Sequence, residues 1–194
     1  MDSQAFLAAK EQALHLLDDA CSKGKVDEQV KPVLDCINAQ PGYYTSSSCA
    51  GRIVILELPA IGDKKKAQFL GKWHRTVDKN EFCDACNKAE KGMIWLLAQS
   101  PIFHVYVDQL NFAEKFVKNA ISCGFKNSGL RSFGKKIVVE ICSTERLDAP
   151  LGLNGKMLYK DEFVEVLVDI ANNVYNRSQI KLLQWEKSLK KMFK

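Results

Sequence analysis

The apolar residues of this chain come in short pieces whose period keeps changing, and that constrains its fold more than any other feature. The longest uninterrupted apolar runs are pieces such as residues 53–56 and 93–98, far below the ~18 residues a membrane helix needs. Runs at 53–58, 93–98 and 102–107 read as strands. Between and around them lie helical stripes. Phe6, Ala9, Ala13, Leu14, Leu17 and Cys21 form one, closed by Gly24. Leu110, Ala113, Phe116, Val117, Ala120 and Ile121 form another, with Asp108 or Asn111 near its start and Gly124 past its end. Helices and strands are interspersed without strict βαβ alternation, and no Gly-x-Gly-x-x-Gly follows a strand. The expected class is α+β (mixed α/β): one domain with a mixed sheet and flanking helices, not a Rossmann layout.

The remaining segments fill in this outline. Asp27 is a plausible cap for a helix carrying Val30, Val33, Leu34 and Ile37, with Pro32 marking its true start. Residues 43–58 read as strand, glycine turn, strand, and 72–77 as a third strand. Weak helical spacing around Phe82, Ala85 and Ala89 ends at Gly92. Residues 125–133 and 136–142 read as strands around Gly134, followed by a long loop through Leu151, Gly152, Leu153, Asn154 and Gly155. Two final helices are expected, one through Phe163, Val166, Leu167 and Ile170, the other through Leu182, Trp185, Leu189 and Met192. No repeat or low-complexity linker divides residues 1–194, so a single domain with a basic C-terminal helix at about 178–194 is expected.

A chain of 194 residues, 46% hydrophobic and 26% charged, can bury a sizeable core. Its net charge of +5 is concentrated at the end: Lys181, Lys187, Lys190, Lys191 and Lys194 stand beside one acid, Glu186, and the first 180 residues carry only +1. Such a tail is compatible with an RNA partner. The start carries Asp2 early and has no arginine before Arg52, so no secretory or transit peptide is expected, and the protein is read as cytoplasmic. Seven scattered cysteines fit reduced thiols. Cys83 and Cys86 form a lone Cys-x-x-Cys without a second ligand pair, so no metal site is expected.

The most unusual stretch is Thr45-Ser46-Ser47-Ser48-Cys49-Ala50-Gly51-Arg52. Four consecutive hydroxyls, a thiol, a glycine and an arginine are poor core material. They suit a polar ligand: Gly51 allows close backbone approach, and the Arg52 guanidinium offers a planar fork of donors to a carboxylate or phosphate. The alternative is a hairpin whose hydroxyls satisfy local backbone groups, with Arg52 in a surface ion pair.

This stretch resembles the Ser-x-Ser-Ser-Cys-x-Gly-Arg signature of the tRNA wybutosine-synthesizing protein 3 family. Ser47, Ser48, Cys49, Gly51 and Arg52 match, and Thr45 stands where the family usually has serine. Residues 22–28 are similar to the family's Lys-Gly-x-x-Asp element, and residues 101–105, 124–129 and 145–150 to its later blocks. The resemblance runs from about residue 10 to residue 185, in family order.

It implies an S-adenosylmethionine-dependent methyltransferase acting on tRNA(Phe), methylating the N4 nitrogen of the tricyclic base next to the anticodon. The runner-up is a non-catalytic tRNA-binding or scaffold protein of the same fold. Methyl transfer from a sulfonium is an in-line displacement, so positioning supplies most of what the protein offers, and no metal or covalent nucleophile is required. Arg52 and Ser48 are expected to act in the reaction, with His104 as acceptor for the proton of the ring nitrogen. Thr45, Ser47, Cys49 and Gly51 are expected to bind cofactor or substrate, joined by Asn127, Ser128 and Gly129 at the turn after a helix. Arg146, paired with Asp148 in the loop before Pro150, is a further candidate.

Overall fold

The first apolar stripe forms α1 (Ser3–Ser22), and Gly24 turns the chain behind it at φ 63°. Helix α2 (Lys31–Asn38) carries Pro32 in its first turn, where a missing N–H costs no hydrogen bond. Strands β1 (Tyr43–Cys49), β2 (Arg52–Leu58) and β3 (Gln68–Trp73) follow, then α3 (Lys79–Cys86), started by a capping box between Asp78 and Glu81. The rest is β4 (Met93–Gln99), β5 (Ile102–Val107), α4 (Leu110–Ser122), β6 (Gly129–Ser132), β7 (Ile137–Cys142), β8 (Arg146–Leu153), β9 (Lys156–Met157) and α5 (Asp161–Met192). This computed structural model describes residues 3–194; Met1 and Asp2, part of the targeting argument, lie outside the described residues. Among the described residues, no helix is long and apolar enough to cross a membrane.

The chain divides into two compact units. One comprises Met1–Ala50, Pro101–Thr144 and Gln179–Lys194; the other comprises Gly51–Ser100 and Glu145–Ser178. The first is built on a sheet of order β1-β5-β7-β6, antiparallel throughout. Phe103, Val105, Val139 and Ile141 point from it into a core with Val33, Leu34 and Ile37 of α2, Phe116 of α4, and Leu182, Trp185 and Leu189 of α5. Burial alternates along β5 and β7, so Ile102, His104, Tyr106, Val138, Glu140 and Cys142 occupy the opposite, half-exposed face. Helix α1 packs along the edge strand, Phe6 against Tyr44 with ring centroids 5.1 Å apart.

The second unit has the sheet order β3-β2-β4-β8-β9, again antiparallel throughout. Ile53, Ile55, Ile94, Leu96 and Ala98 meet Phe82, Ala85 and Cys86 of α3 and Val164, Leu167, Val168 and Ala171 of α5. Asn172 fastens α5 to the segment before α3: its carbonyl accepts from Val77 N and its amide donates to Val77 O, both at 2.9 Å.

The α+β class without a Rossmann layout holds, but the strands form two antiparallel sheets where a mixed sheet was expected. The chain moves from one sheet to the other at Ala50-Gly51 and at Ser100-Pro101, so β1 and β2 are not partners, nor are β4 and β5. Gly51, at φ 89°, permits the first of these changes within two residues. The expected loop before and after Pro150 is instead β8 and a hairpin into β9. Asn154 and Gly155, at φ 52° and 72°, supply the left-handed turn that such a hairpin requires.

The two expected C-terminal helices are one continuous α5. It contains neither glycine nor proline. Its buried positions Val164, Leu167, Val168, Ala171, Tyr175, Ser178, Leu182, Trp185 and Leu189 keep helical phase throughout. Buried Ser178 returns its hydroxyl to the Tyr175 carbonyl at 2.7 Å, so the polar interruption breaks nothing. Of the apolar positions through which the first of those helices was expected, Leu167 is buried while Phe163, Val166 and Ile170 are 46%, 49% and 42% exposed. The third strand lies at 68–73 rather than 72–77, and β6 spans only 129–132.

Candidate functional site

The hydroxyl-rich stretch is divided between the two units: residues 45–49 lie on β1, and Arg52 opens β2. On β1, Thr45 is buried and committed to α2. Its N–H donates to Asn38 Oδ1 at 2.9 Å, and its hydroxyl accepts from Asn38 Nδ2 at 3.0 Å. A register shift follows immediately. Thr45 faces Val105 but Ser47 faces His104, leaving Ser46 as the extra residue of a bulge. Strict alternation would place Ser46 opposite His104. The bulge instead brings Ser47 Oγ to 2.9 Å from His104 Nδ1.

From there a polar row crosses the half-exposed sheet face. His104 faces Glu140 on β7, and Glu140 faces Gly129 on β6. His104 Nε2 lies 2.9 Å from Glu140 Oε2, while Arg131 pairs with Glu140 Oε1. Arg131 and, less strongly, His104 hold the Glu140 carboxyl below its ordinary range, against the opposing effect of burial. Ser48 and Cys49 continue β1 opposite Phe103 and Ile102. Thr45, Ser46, Ser47 and Ser48 form one wall of a cavity of about 280 Å³, whose other side carries Ala13, Leu16 and Leu17 of α1, with Lys25 and Val26.

Asn127 and Ser128 pin the end of β7. Asn127 N donates to the Cys142 carbonyl at 3.0 Å, and Ser128 Oγ accepts from Cys142 N at 3.1 Å. Gly129 has open space where a Cβ would stand. The family-like Asp27 is no side-chain cap; its carboxylate accepts from Ala50 N at 2.8 Å, and Gln179 Nε2 donates to Ala50 O at 2.6 Å. Those two bonds hold both backbone polar groups of Ala50, the residue at which the chain leaves the first sheet.

In the other unit, Arg52 donates from Nε to Gln99 Oε1 at 2.8 Å, and its guanidinium carbon lies 5.9 Å from the Phe69 ring centroid. Arg52 and Arg146 flank Gln99 in register. Arg146 donates to Asp148 Oδ2 at 2.7 Å, as expected, in an exposed pair of the kind that contributes little to stability. Cys83 and Cys86 belong to α3. Cys86 is buried in the core, where desolvation pushes its thiol up to about 12.

The structure thus gathers Ser47, His104 and Gly129 on one sheet, and places Arg52 and Arg146 on the other. Glu140, Arg131, Gln99 and Gln179 were missed in the sequence, and Asp27 was read as a helix cap and part of a family-like element, not as the acceptor for Ala50 N. Glu140 alone had a visible signal, a carboxylate in the otherwise apolar strand at 137–142.

The sequence profile described as Methyltransferase TYW3 matches residues 8–191. A Pyrococcus abyssi protein named tRNA(Phe) 7-((3-amino-3-carboxypropyl)-4-demethylwyosine(37)-N(4))-methyltransferase 1 is 44% identical over 191 residues, 98% of each chain. A Thermococcus sibiricus protein named as the same kind of methyltransferase is 42% identical, over 97% of this chain and 96% of its own. A solved structure of a Pyrococcus horikoshii protein, 44% identical, superposes with a TM-score of 0.92 over 96% of this chain and 97% of that one. With a profile spanning nearly every residue and relatives of equal length that share both sequence and fold, the chain belongs to the TYW3 methyltransferase family.

Proposed function

We infer that this protein methylates the N4 nitrogen of the demethylwyosine-type base at position 37 of tRNA(Phe), acting in the cytoplasm with S-adenosylmethionine as donor and residues 1–194 as one functional domain. The carrying observation is identity above 40%, over nearly the whole chain, to relatives that bear that name. The donor set of the β1–α1 cavity fits S-adenosylmethionine. Ser46, Ser47, Ser48 and the Lys25 ammonium suit its carboxylate and hydroxyl groups, and Ala13, Leu16 and Leu17 suit an apolar body. Bound there, the group supplies an electrophilic methyl. The chain's own part is to hold both reactants in line and to take up the proton that the methylated nitrogen loses. Ser48 and His104 serve that end, and Cys49 and Gly51 shape the strand and its exit. Asn127, Ser128 and Gly129 set the neighbouring turn. Arg52, with Arg146 beside Gln99, holds an anionic group of cofactor or RNA.

Nucleoside mass spectrometry after incubation with labelled S-adenosylmethionine and tRNA(Phe) from cells blocked at this step tests the assignment. A labelled methyl on the tricyclic base is the expected product; none, together with no cofactor uptake in calorimetry, would leave a non-catalytic RNA-binding scaffold.

Two further outcomes follow from the anion-binding groups. Arg52→Lys loses the planar fork, the Gln99 bond from Nε and the packing against Phe69. It should weaken binding of cofactor or tRNA by about 10-fold; unchanged affinity for both removes the role. Among the tail lysines, Lys181 reaches the Gly124 carbonyl at 3.4 Å and Lys190 pairs with Glu186 at 2.5 Å. RNA contact is therefore assigned to exposed Lys187, Lys191 and Lys194. Replacing these three with glutamine should flatten the salt dependence of tRNA affinity by roughly 0.7–0.9 in log–log slope for each phosphate the tail no longer neutralises. A slope equal to the parent's excludes the tail.

A further inference from the structure

We propose that Ser47 relays the substrate nitrogen's proton to His104, and that Glu140 is the positioning residue that sets the imidazole for that task. The proposal rests on the methyltransferase reading above and assigns its proton path. The groups facing the imidazole are Ser47 from β1 and Glu140 from β7, with Arg131 of β6 behind Glu140.

The direction of each hydrogen bond follows from what each group can do. Glu140 is only 12% exposed, and with Arg131 on one oxygen it is held as a carboxylate, which accepts and cannot donate. His104 Nε2, 2.9 Å from its other oxygen, must then carry the ring proton. In the neutral imidazole that leaves Nδ1 as a lone pair, so Ser47, at 2.9 Å, donates to it. Ser47's oxygen keeps its own lone pairs for a third group. Ser47 is exposed and lines the cavity, with His104 standing behind it. The expected acceptor His104 is thus reached through Ser47.

The proton balance closes without any further reactant. The nitrogen lone pair forms the new N–C bond as the carbon–sulfur bond of the sulfonium breaks, its electron pair staying on sulfur. The N–H electron pair returns to nitrogen and its proton passes to Ser47 Oγ, whose own proton moves to Nδ1. The imidazolium so formed lies against the Glu140 carboxylate. His104, 33% exposed, then releases the proton to solvent.

The test uses the full chain labelled with ¹⁵N-histidine, with the His104 signals assigned by their loss in His104→Ala. Without cofactor or tRNA, two-bond nitrogen–proton spectra at neutral pH should show Nε2 protonated and Nδ1 bare. Glu140→Gln should reduce the share of that tautomer and lower kcat by about 10-fold, with KM for tRNA close to the parent's. Ser47→Ala should lower kcat by about 100-fold, and Ser47→Thr, which keeps a hydroxyl on a strand, should restore most of it. An Nδ1–H tautomer in an active wild-type protein overturns the relay alone, as does a Ser47→Ala protein with the parent's kcat. A wild-type protein that shows the expected tautomer yet never methylates tRNA overturns the functional reading, and the relay with it.

Discussion

His104→Ala is expected to slow methylation of tRNA by about 100-fold or more while leaving a folded protein that still binds cofactor. The side chain lies on the half-exposed face of β5, not among the buried residues Phe103 and Val105 that face the core, so truncation opens no cavity there. Glu140 keeps Arg131 as a partner, which prevents an unpaired buried carboxylate, the usual cause of a large stability loss at such a site. Single-turnover rates and a thermal melt on the same preparation separate the two effects. A melting temperature near the parent's with a hundredfold slower methyl transfer is the expected pair of results. Parent-like rates across a pH series would take His104 out of the reaction.

Trp185→Ala is expected to destabilise the protein by about 3–5 kcal/mol, lowering Tm by roughly 10 °C for a chain of this size. Trp185 is fully buried, with ring centroids 5.1 Å from Phe103, 5.7 Å from Phe116 and 5.0 Å from Phe125. It therefore joins α5, α4, β5 and the turn before β6, and alanine would leave a void that three aromatic rings cannot collapse to fill. Its indole N–H is buried without a hydrogen-bond partner among the described residues. Trp185→Phe deletes that donor and keeps most of the ring packing, so it should cost clearly less than alanine. Urea titration of the three proteins orders them; alanine and phenylalanine variants with equal midpoints would show that ring packing is not what Trp185 contributes.

The elements legible in the sequence were those decided by contacts within one segment. The stripe from Phe6 to Cys21 and that from Leu110 to Ile121 became α1 and α4, because a helix face is written at three- and four-residue spacing. The strands at 93–99 and 102–107 were equally plain, as short apolar runs separated by Ser100-Pro101. The apolar residues of the first half of α5 did not show its buried face, because Phe163, Val166 and Ile170 are as apolar as the neighbours that are buried, and hydrophobicity alone does not say which stripe meets a core. Even so, the stripe from Leu182 to Leu189 was found, because there lysines mark the opposite side.

Sequence by itself determined the class of fold, the dense run of hydroxyls before Arg52, and the position of the positive charge in the last fourteen residues. It also carried the family's signature, and with it the chemistry. Only tertiary structure decided which groups meet. Ser47 and His104 are 57 positions apart, and His104 and Glu140 are 36 apart. Their contact depends on strand order and on a single extra residue, Ser46, that shifts the register of β1. Because side chains alternate with a period of two, one inserted residue changes which of them face a neighbour. No local pattern records such a shift, for it is set by the strand across the sheet.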